Sequence, residues 1–87
     1  MYLAQVTGAI VSTTKHESLN GNKLLLVTRL DNEHRPTRDT EIAIDCVGAG
    51  NSDIVVVTTG SSARKSSCHP ASVTDAAIVG IVDSLES

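Results

Sequence analysis

The sequence contains no Phe and no Trp, and its only aromatic residue is Tyr2. Aromatic side chains supply the largest buried area per residue, so a core here has to be assembled from Val, Ile, Leu and Ala. Basic residues are also few. Seven Lys and Arg against ten Asp and Glu give a formal net charge of −3. Holding nucleic acid needs a basic footprint, and this chain has none. No apolar run approaches membrane-spanning length, and no secretory leader is read before the first strand-like segment. The expectation is a cytosolic, reducing location without a membrane, where a structural disulfide is uncommon. Cysteine is scarce to match. Cys46 lies in an apolar run and reads as a small buried hydrophobe, whereas Cys68 lies in a polar loop. Metal-binding patterns are missing too. His16, His34 and His69 fall in three separate loops, and the adjacent Cys68-His69 lacks the spacing of a zinc pair such as Cys-x₂-Cys. No metal and no cofactor are expected.

What remains is an 87-residue chain, short enough for one domain over residues 1–87. Domains of this size bury a small share of their surface. Thin cores are usually supplemented by disulfides, metals or partner subunits. With the first two set aside, oligomerisation is the remaining supplement.

The apolar pattern is short, β-branched and broken by turn residues, which predicts an all-β fold. Five strands are expected: Tyr2 to Thr13, Lys23 to Leu30, Glu41 to Val47, Asp53 to Thr59, and Ile78 to Asp83. Gly8 within the first predicts a bend or bulge. Asn20-Gly21 is a turn signal before the second. Asp31 to Asp39 is charged and aperiodic, and predicts an exposed, mobile loop. Ser72-Val73-Thr74-Asp75 loosely matches a capping box, so one helical turn is expected at Thr74 to Ala77. Five strands with a bend in the first suggest a small OB-like β-barrel carrying one short helical turn near the C-terminus. A small sandwich would give a similar pattern.

Three groups of residues invite a chemical reading. Gly48-Ala49-Gly50 could cradle a phosphate, but no helix pattern follows it, and a tight turn needing positive φ fits better. Gly60-Ser61-Ser62-Ala63-Arg64 invites a nucleophile at Ser61 or Ser62. It lacks the last glycine of Gly-x-Ser-x-Gly, and no strand-to-helix elbow is evident, so it reads as a turn. Asp45 and Asp83 interrupt or end apolar strands without a pocket to bring them together. Asp45 alternates with Ile44 and Cys46, so it should point away from the core toward solvent or a neighbouring subunit. No catalytic residue is assigned.

Several ordered segments then resemble a known family. They are Leu3-Ala4-Gln5-Val6-Thr7-Gly8, Thr13-Thr14-Lys15, Leu19-Asn20-Gly21-Asn22-Lys23-Leu24-Leu25-Leu26-Val27, Ala43-Ile44-Asp45-Cys46-Val47-Gly48-Ala49-Gly50, Gly60-Ser61-Ser62-Ala63-Arg64 and Asp75-Ala76-Ala77-Ile78-Val79-Gly80-Ile81-Val82-Asp83. Together they are similar to the bacterial microcompartment vertex proteins. That group includes the carboxysome vertex protein and its counterpart in ethanolamine-utilising compartments. The chain departs from the family in its charged Arg35 to Glu41 loop and in Pro70-Ala71-Ser72-Val73-Thr74-Asp75-Ala76, where a shorter Pro-Val-Asp-Ala run is usual.

The resemblance implies an OB-like barrel that assembles into a cyclic homopentamer. The pentamer would cap the vertices of a polyhedral shell in the cytoplasm, alongside hexagonal shell proteins of the same compartment. It also implies a role for Gly60 to Arg64. Small residues let a neighbouring subunit approach, and Arg64 pairs with a carboxylate, Asp45 or Asp83. A different reading is an OB-type module for single-stranded nucleic acid, but such surfaces use stacking aromatics in a basic groove. A small serine hydrolase is a third reading, without a credible base for its nucleophile.

Overall fold

A computed structural model describes residues 1–11, 23–66 and 75–84. Five strands and one short helix run in the order β1 (Tyr2–Ala9), β2 (Lys23–Leu30), β3 (Pro36–Asp45), β4 (Ile54–Thr59), α1 (Gly60–Ser66) and β5 (Ala76–Ile81). The strands close into a barrel in the order β1-β2-β3-β5-β4, with β4 returning to β1. All pairings are antiparallel except β3 with β5, which is parallel and confined to Ile44↔Ala77 and Asp45↔Ile78. This is the small five-stranded barrel expected from the sequence, and it is closed.

Alternation along the strands fills the interior. Ala4 and Val6 of β1, Leu25 and Val27 of β2, Ala43 of β3, Val55 and Val57 of β4, and Ile78 of β5 form one buried cluster. Apart from Leu25, each side chain is small or β-branched, so the barrel is narrow and needs no aromatic at its centre. Fully burying one of the Val, Leu or Ile side chains contributes about 1.5–3 kcal/mol. The bend expected at Gly8 is present. The β1–β2 register slips between Val6 and Gly8, leaving Thr7 as the extra residue of a bulge that curls β1 between its two neighbours.

Five expectations on the elements need correction. β1 ends at Ala9, short of Thr13, and residues 12 and 13 lie outside the described residues. β3 begins at Pro36, not Glu41, so half of the charged segment is strand. That half pairs only with β2 and is wet on both faces, so it carries no apolar alternation to read. β4 begins at Ile54, and β5 is Ala76–Ile81, two residues earlier than expected. The short helix is α1, between β4 and β5, and not at Thr74 to Ala77. Ala76 and Ala77 are strand, and Thr74 lies outside the described residues. Seven residues with a single apolar position, Ala63, give too little period to reveal a helix.

Candidate subunit interface and barrel mouth

α1 starts where β4 ends, and Gly60 makes the corner with φ of 65°, a left-handed conformation that favours glycine. Its backbone N–H donates to Asp75 O at 3.0 Å, tying the corner to the entry of β5. The strand-to-helix elbow that the sequence did not reveal is therefore present. α1 lies on the outside of the barrel, where Ala63 is fully buried with Ile44 and Ala77, flanked by Leu24 and Cys46. Ser61, Ser62 and Arg64 are exposed. Ala63 thus anchors α1 to its own barrel, and the other small residues face outward.

Cys46 is disulfide-bonded, which corrects the expectation of a reduced, buried hydrophobe. The chain's other cysteine, Cys68, lies outside the described residues. Cys46 is the first residue past β3, half-buried at a loop. The apolar run around it suggested mid-strand burial and concealed that position.

Asp45 also departs from expectation. Its carboxylate is 1 % exposed and turns into the following loop. Oδ1 accepts from Val47 N at 3.1 Å, and Oδ2 accepts from Ala49 N at 2.9 Å. Lys23 Nζ lies 4.0 Å from Oδ2 and donates to Ala49 O at 2.8 Å. The carboxylate is consumed within its own subunit, holding the Gly48-Ala49-Gly50 segment. Gly48 takes φ of 81°. Gly50 O accepts from Asp53 N at 3.1 Å, and Gly50 N donates to Asp53 Oδ2 at 2.8 Å, so the segment runs straight into a tight turn. Asp83 is exposed just beyond β5. It sits near the start of β4, since Val82 N donates to Ile54 O. Gly60 to Arg64 follow the end of β4, so one subunit places Asp83 and Arg64 at opposite ends of the β4–β5 pair.

The outer face carries aliphatic side chains where a solvated sheet is normally polar. Leu3, between inward Tyr2 and Ala4, pairs with Val56 on the β1–β4 side. Leu26, between inward Leu25 and Val27, pairs with Ile42 on the β2–β3 side. Ile42 is 52 % exposed. These are two different apolar patches on two sides of one barrel.

Sequence reasoning missed the barrel mouth. Tyr2, Arg29 and Glu41 all belong to the inward set, in register with Ala4 and Val27. Tyr2 Oη donates to Glu41 Oε1. The Arg29 guanidinium lies over the Tyr2 ring, 4.6 Å from its centroid. A cleft of about 470 Å³ opens here, lined also by Met1, Asp39, Thr40 and Thr59. Burial raises the Tyr2 hydroxyl above its ordinary value of 10.0. The bond to Glu41 and that carboxylate's charge add to the rise, and Arg29 opposes it. The only signal in the sequence was that its one aromatic occurs at all. Its partners lie 27 and 39 positions away and follow from the register alone.

Among the described residues no group of three His, Cys, Asp or Glu could hold a metal. His34 sits exposed in the β2–β3 turn with φ of 63°, while His16 and His69 lie outside the described residues. No helix there is long and apolar enough to cross a membrane.

With this geometry in place, comparison with known proteins is specific. The family model described as ethanolamine utilisation protein EutN/carboxysome matches residues 1–83. The chain is 54 % identical to the bacterial microcompartment shell vertex protein GrpN of Rhodospirillum rubrum, over 100 % of this chain and 98 % of that protein. It is 49 % identical to the shell vertex protein PduN of Salmonella typhimurium, over 98 % of each chain. The solved GrpN pentameric microcompartment shell protein from Rhodospirillum rubrum superposes with a TM-score of 0.91 at 53 % identity, covering 100 % of this chain and 99 % of that one.

Proposed function

The chain belongs to the EutN/carboxysome family, and on that premise we propose that residues 1–87 act as one vertex domain, five copies of which close a ring and seat it among hexagonal shell subunits of the same compartment. The protein is a structural shell subunit of a bacterial microcompartment and not an enzyme. Geometry gives the reason for such a part. A flat sheet of six-fold tiles closes into a polyhedron only where five-fold points are inserted.

The observation that carries this reading is the end-to-end likeness to a pentameric shell protein. The barrel supports it. Among the described residues its buried core cluster is aliphatic, with Tyr2 packed at its edge, and two separate apolar patches, Leu3 with Val56 and Leu26 with Ile42, remain on the outside. A cyclic ring uses two different surfaces of each subunit, one meeting the other on the next copy. We assign the two patches to that contact, together with the half-buried Gly60 and the exposed Ser61, Ser62 and Arg64. Asp83 of the adjacent subunit is the acceptor for Arg64. Opposite ends of β4–β5 suit such a pair, because the two residues must come from different copies. Asp45 and Ala63, read from the sequence as interface candidates, are both used inside their own subunit.

A nucleic-acid module finds no support in the same features. The only aromatic ring is covered by Arg29 and bonded to Glu41, so it offers no stacking platform.

Native mass spectrometry of the purified protein tests the assembly. A five-subunit species is the expected result at micromolar protomer. A dominant monomer there refutes the ring, and a stable hexamer refutes the vertex role.

A further inference from the structure

We propose that the Cys46 disulfide is a redox-sensitive clamp on α1. Closed, it holds the helix where the ring contact needs it; reduced, it loosens the helix and weakens the ring. The proposal rests on the vertex reading above.

Cys46 is disulfide-bonded, and among the described residues no cysteine is free. The sequence has only two cysteines, so within one chain the partner of Cys46 is Cys68. Cys68 itself lies outside the described residues, and the bond is fixed from the Cys46 side. A shell subunit in the cytoplasm meets a pool of reduced thiols. Disulfides that do occur there are usually transient, and either catalytic or redox-sensing. This chain is a structural subunit, which leaves sensing.

The position of the bond decides what it controls. Cys46 is half-buried just past β3, packed on the cluster of Ile44, Ala63 and Ala77 where β3, α1 and β5 meet. Cys68 follows Ser66, the last residue of α1, by two positions in the sequence. The bond therefore closes a covalent loop that contains β4 and the whole of α1. Little else holds the helix. It has seven residues, too few to be stable in water without tertiary contact. Among its described side chains only Ala63 is buried, and at its start Gly60 N donates to Asp75 O. Ser61, Ser62 and Arg64, assigned above to the ring contact, are carried on this helix. A loose helix has to be ordered each time a neighbouring copy binds it, and that entropy is subtracted from the contact.

Thiol–disulfide exchange supplies the chemistry. One protein thiolate attacks a low-molecular-weight disulfide and expels one of its halves as a thiolate. The second protein thiolate attacks the resulting mixed disulfide, forms the Cys46–Cys68 bond and expels the other half. The two protein thiols give up two protons and two electrons, and the small disulfide takes them up as two small thiols. An excess of small thiol runs the exchange backwards. Linkage makes the coupling reciprocal. If the closed clamp favours the ring, the ring protects the clamp from reduction by the same factor.

The test equilibrates purified wild type and Cys68→Ser with glutathione at a series of oxidised-to-reduced ratios. Peptide mapping reads the bond, circular dichroism reads the barrel, and sedimentation across a concentration series reads the ring. In oxidised wild type the bond should map to Cys46 and Cys68 of one chain. Reduction should leave the barrel folded and raise the protomer concentration at which the ring dissociates by about ten-fold. Cys68→Ser should show that higher range at every ratio. The ratio that half-reduces wild type should become more reducing as protomer concentration rises through the dissociation range, a shift that a staple of the monomer alone would not give. The same dissociation range in oxidised and reduced protein overturns the proposal. So does a bond that stays closed in reduced glutathione, a bond that maps between copies, or a barrel that unfolds on reduction, since the bond would then serve the fold. Oxidised wild type that forms no pentamer refutes the vertex reading and this proposal with it, and differs from the other outcomes in that no ring is seen at any ratio.

Discussion

Tyr2→Phe removes one oxygen and leaves the ring in place. The ring still packs against the core and still lies beneath Arg29. What is lost is the bond from Tyr2 Oη to Glu41 Oε1. Hydrogen bonds to an ionised partner contribute about 1.5–3 kcal/mol net. Glu41 is half-buried, so water recovers part of its solvation in the variant. The expected destabilisation is therefore at the low end, about 1–1.5 kcal/mol. In a domain of this size 1 kcal/mol moves Tm by roughly 4–8 °C, which predicts a shift of about 4–12 °C. Ring formation adds apparent stability by mass action, so wild type and variant must be melted at one protomer concentration. Glu41→Gln keeps an acceptor without the charge and should give a smaller shift. Combining the two substitutions isolates the coupling, which should be at least about 0.5 kcal/mol for groups in contact. A Tm for Tyr2→Phe within about 1 °C of wild type, or strict additivity in the double variant, refutes the claim that this bond ties β1 to β3 across the barrel mouth.

The same hydroxyl makes an alkaline prediction. Its folded pKa is raised above 10.0, so its contribution is complete below pH 10 and is lost as pH climbs from there toward the folded value. Urea midpoints measured from about pH 9 to 11 should fall more steeply for wild type than for Tyr2→Phe, and parallel slopes would contradict this. Asp45→Asn keeps one acceptor oxygen but sets an amide N–H₂ against a backbone N–H, Val47 or Ala49. The unfolding midpoint should drop by about 1–3 kcal/mol without a change in ring stoichiometry, and a ring that dissociates instead would put Asp45 at the subunit contact. For Arg64, the readout is sedimentation across a concentration series. Arg64→Ala should shift the ring toward monomer, by up to about 3–5 kcal/mol if the ring buries its pair with Asp83, and Arg64→Lys should restore only part because it lacks the planar fork. Identical dissociation ranges for all three proteins would make Arg64 a surface charge.

How much of this was legible depends on how far each feature reaches along the chain. β2 was read to the residue because Lys23 to Leu30 alternates inward Leu25 and Val27 with outward Leu24 and Leu26, and the aliphatic run breaks at Asp31. The bulge was read from Gly8, a local signal. β3 was read only where it enters the barrel. Its first five residues, Pro36 to Thr40, have no buried face, so nothing in their pattern distinguishes strand from loop. α1 was missed for a related reason. It buries one residue, Ala63, and a single contact has no period.

The contacts proposed for assembly were hidden by a different circumstance. Outward aliphatic residues in β1 and β2, Leu3, Leu24 and Leu26, made both strands look like ordinary buried β-structure, because hydropathy does not record which side of the sheet a residue occupies. Only register separates inward Leu25 from outward Leu26, and only then does Ile42 beside it become an exposed apolar surface in search of a partner. The mouth shows the converse. Tyr2, Arg29 and Glu41 are polar or terminal positions that look unrelated in isolation, yet closure of the barrel brings all three together at its mouth, with Arg29 still exposed. A chain with so small a core therefore leaves apolar residues outside, where the proposed ring would bury them, and uses its single aromatic to join β1 to β3 at the barrel mouth. That distribution fits a subunit whose fold is completed by its neighbours better than one that works alone.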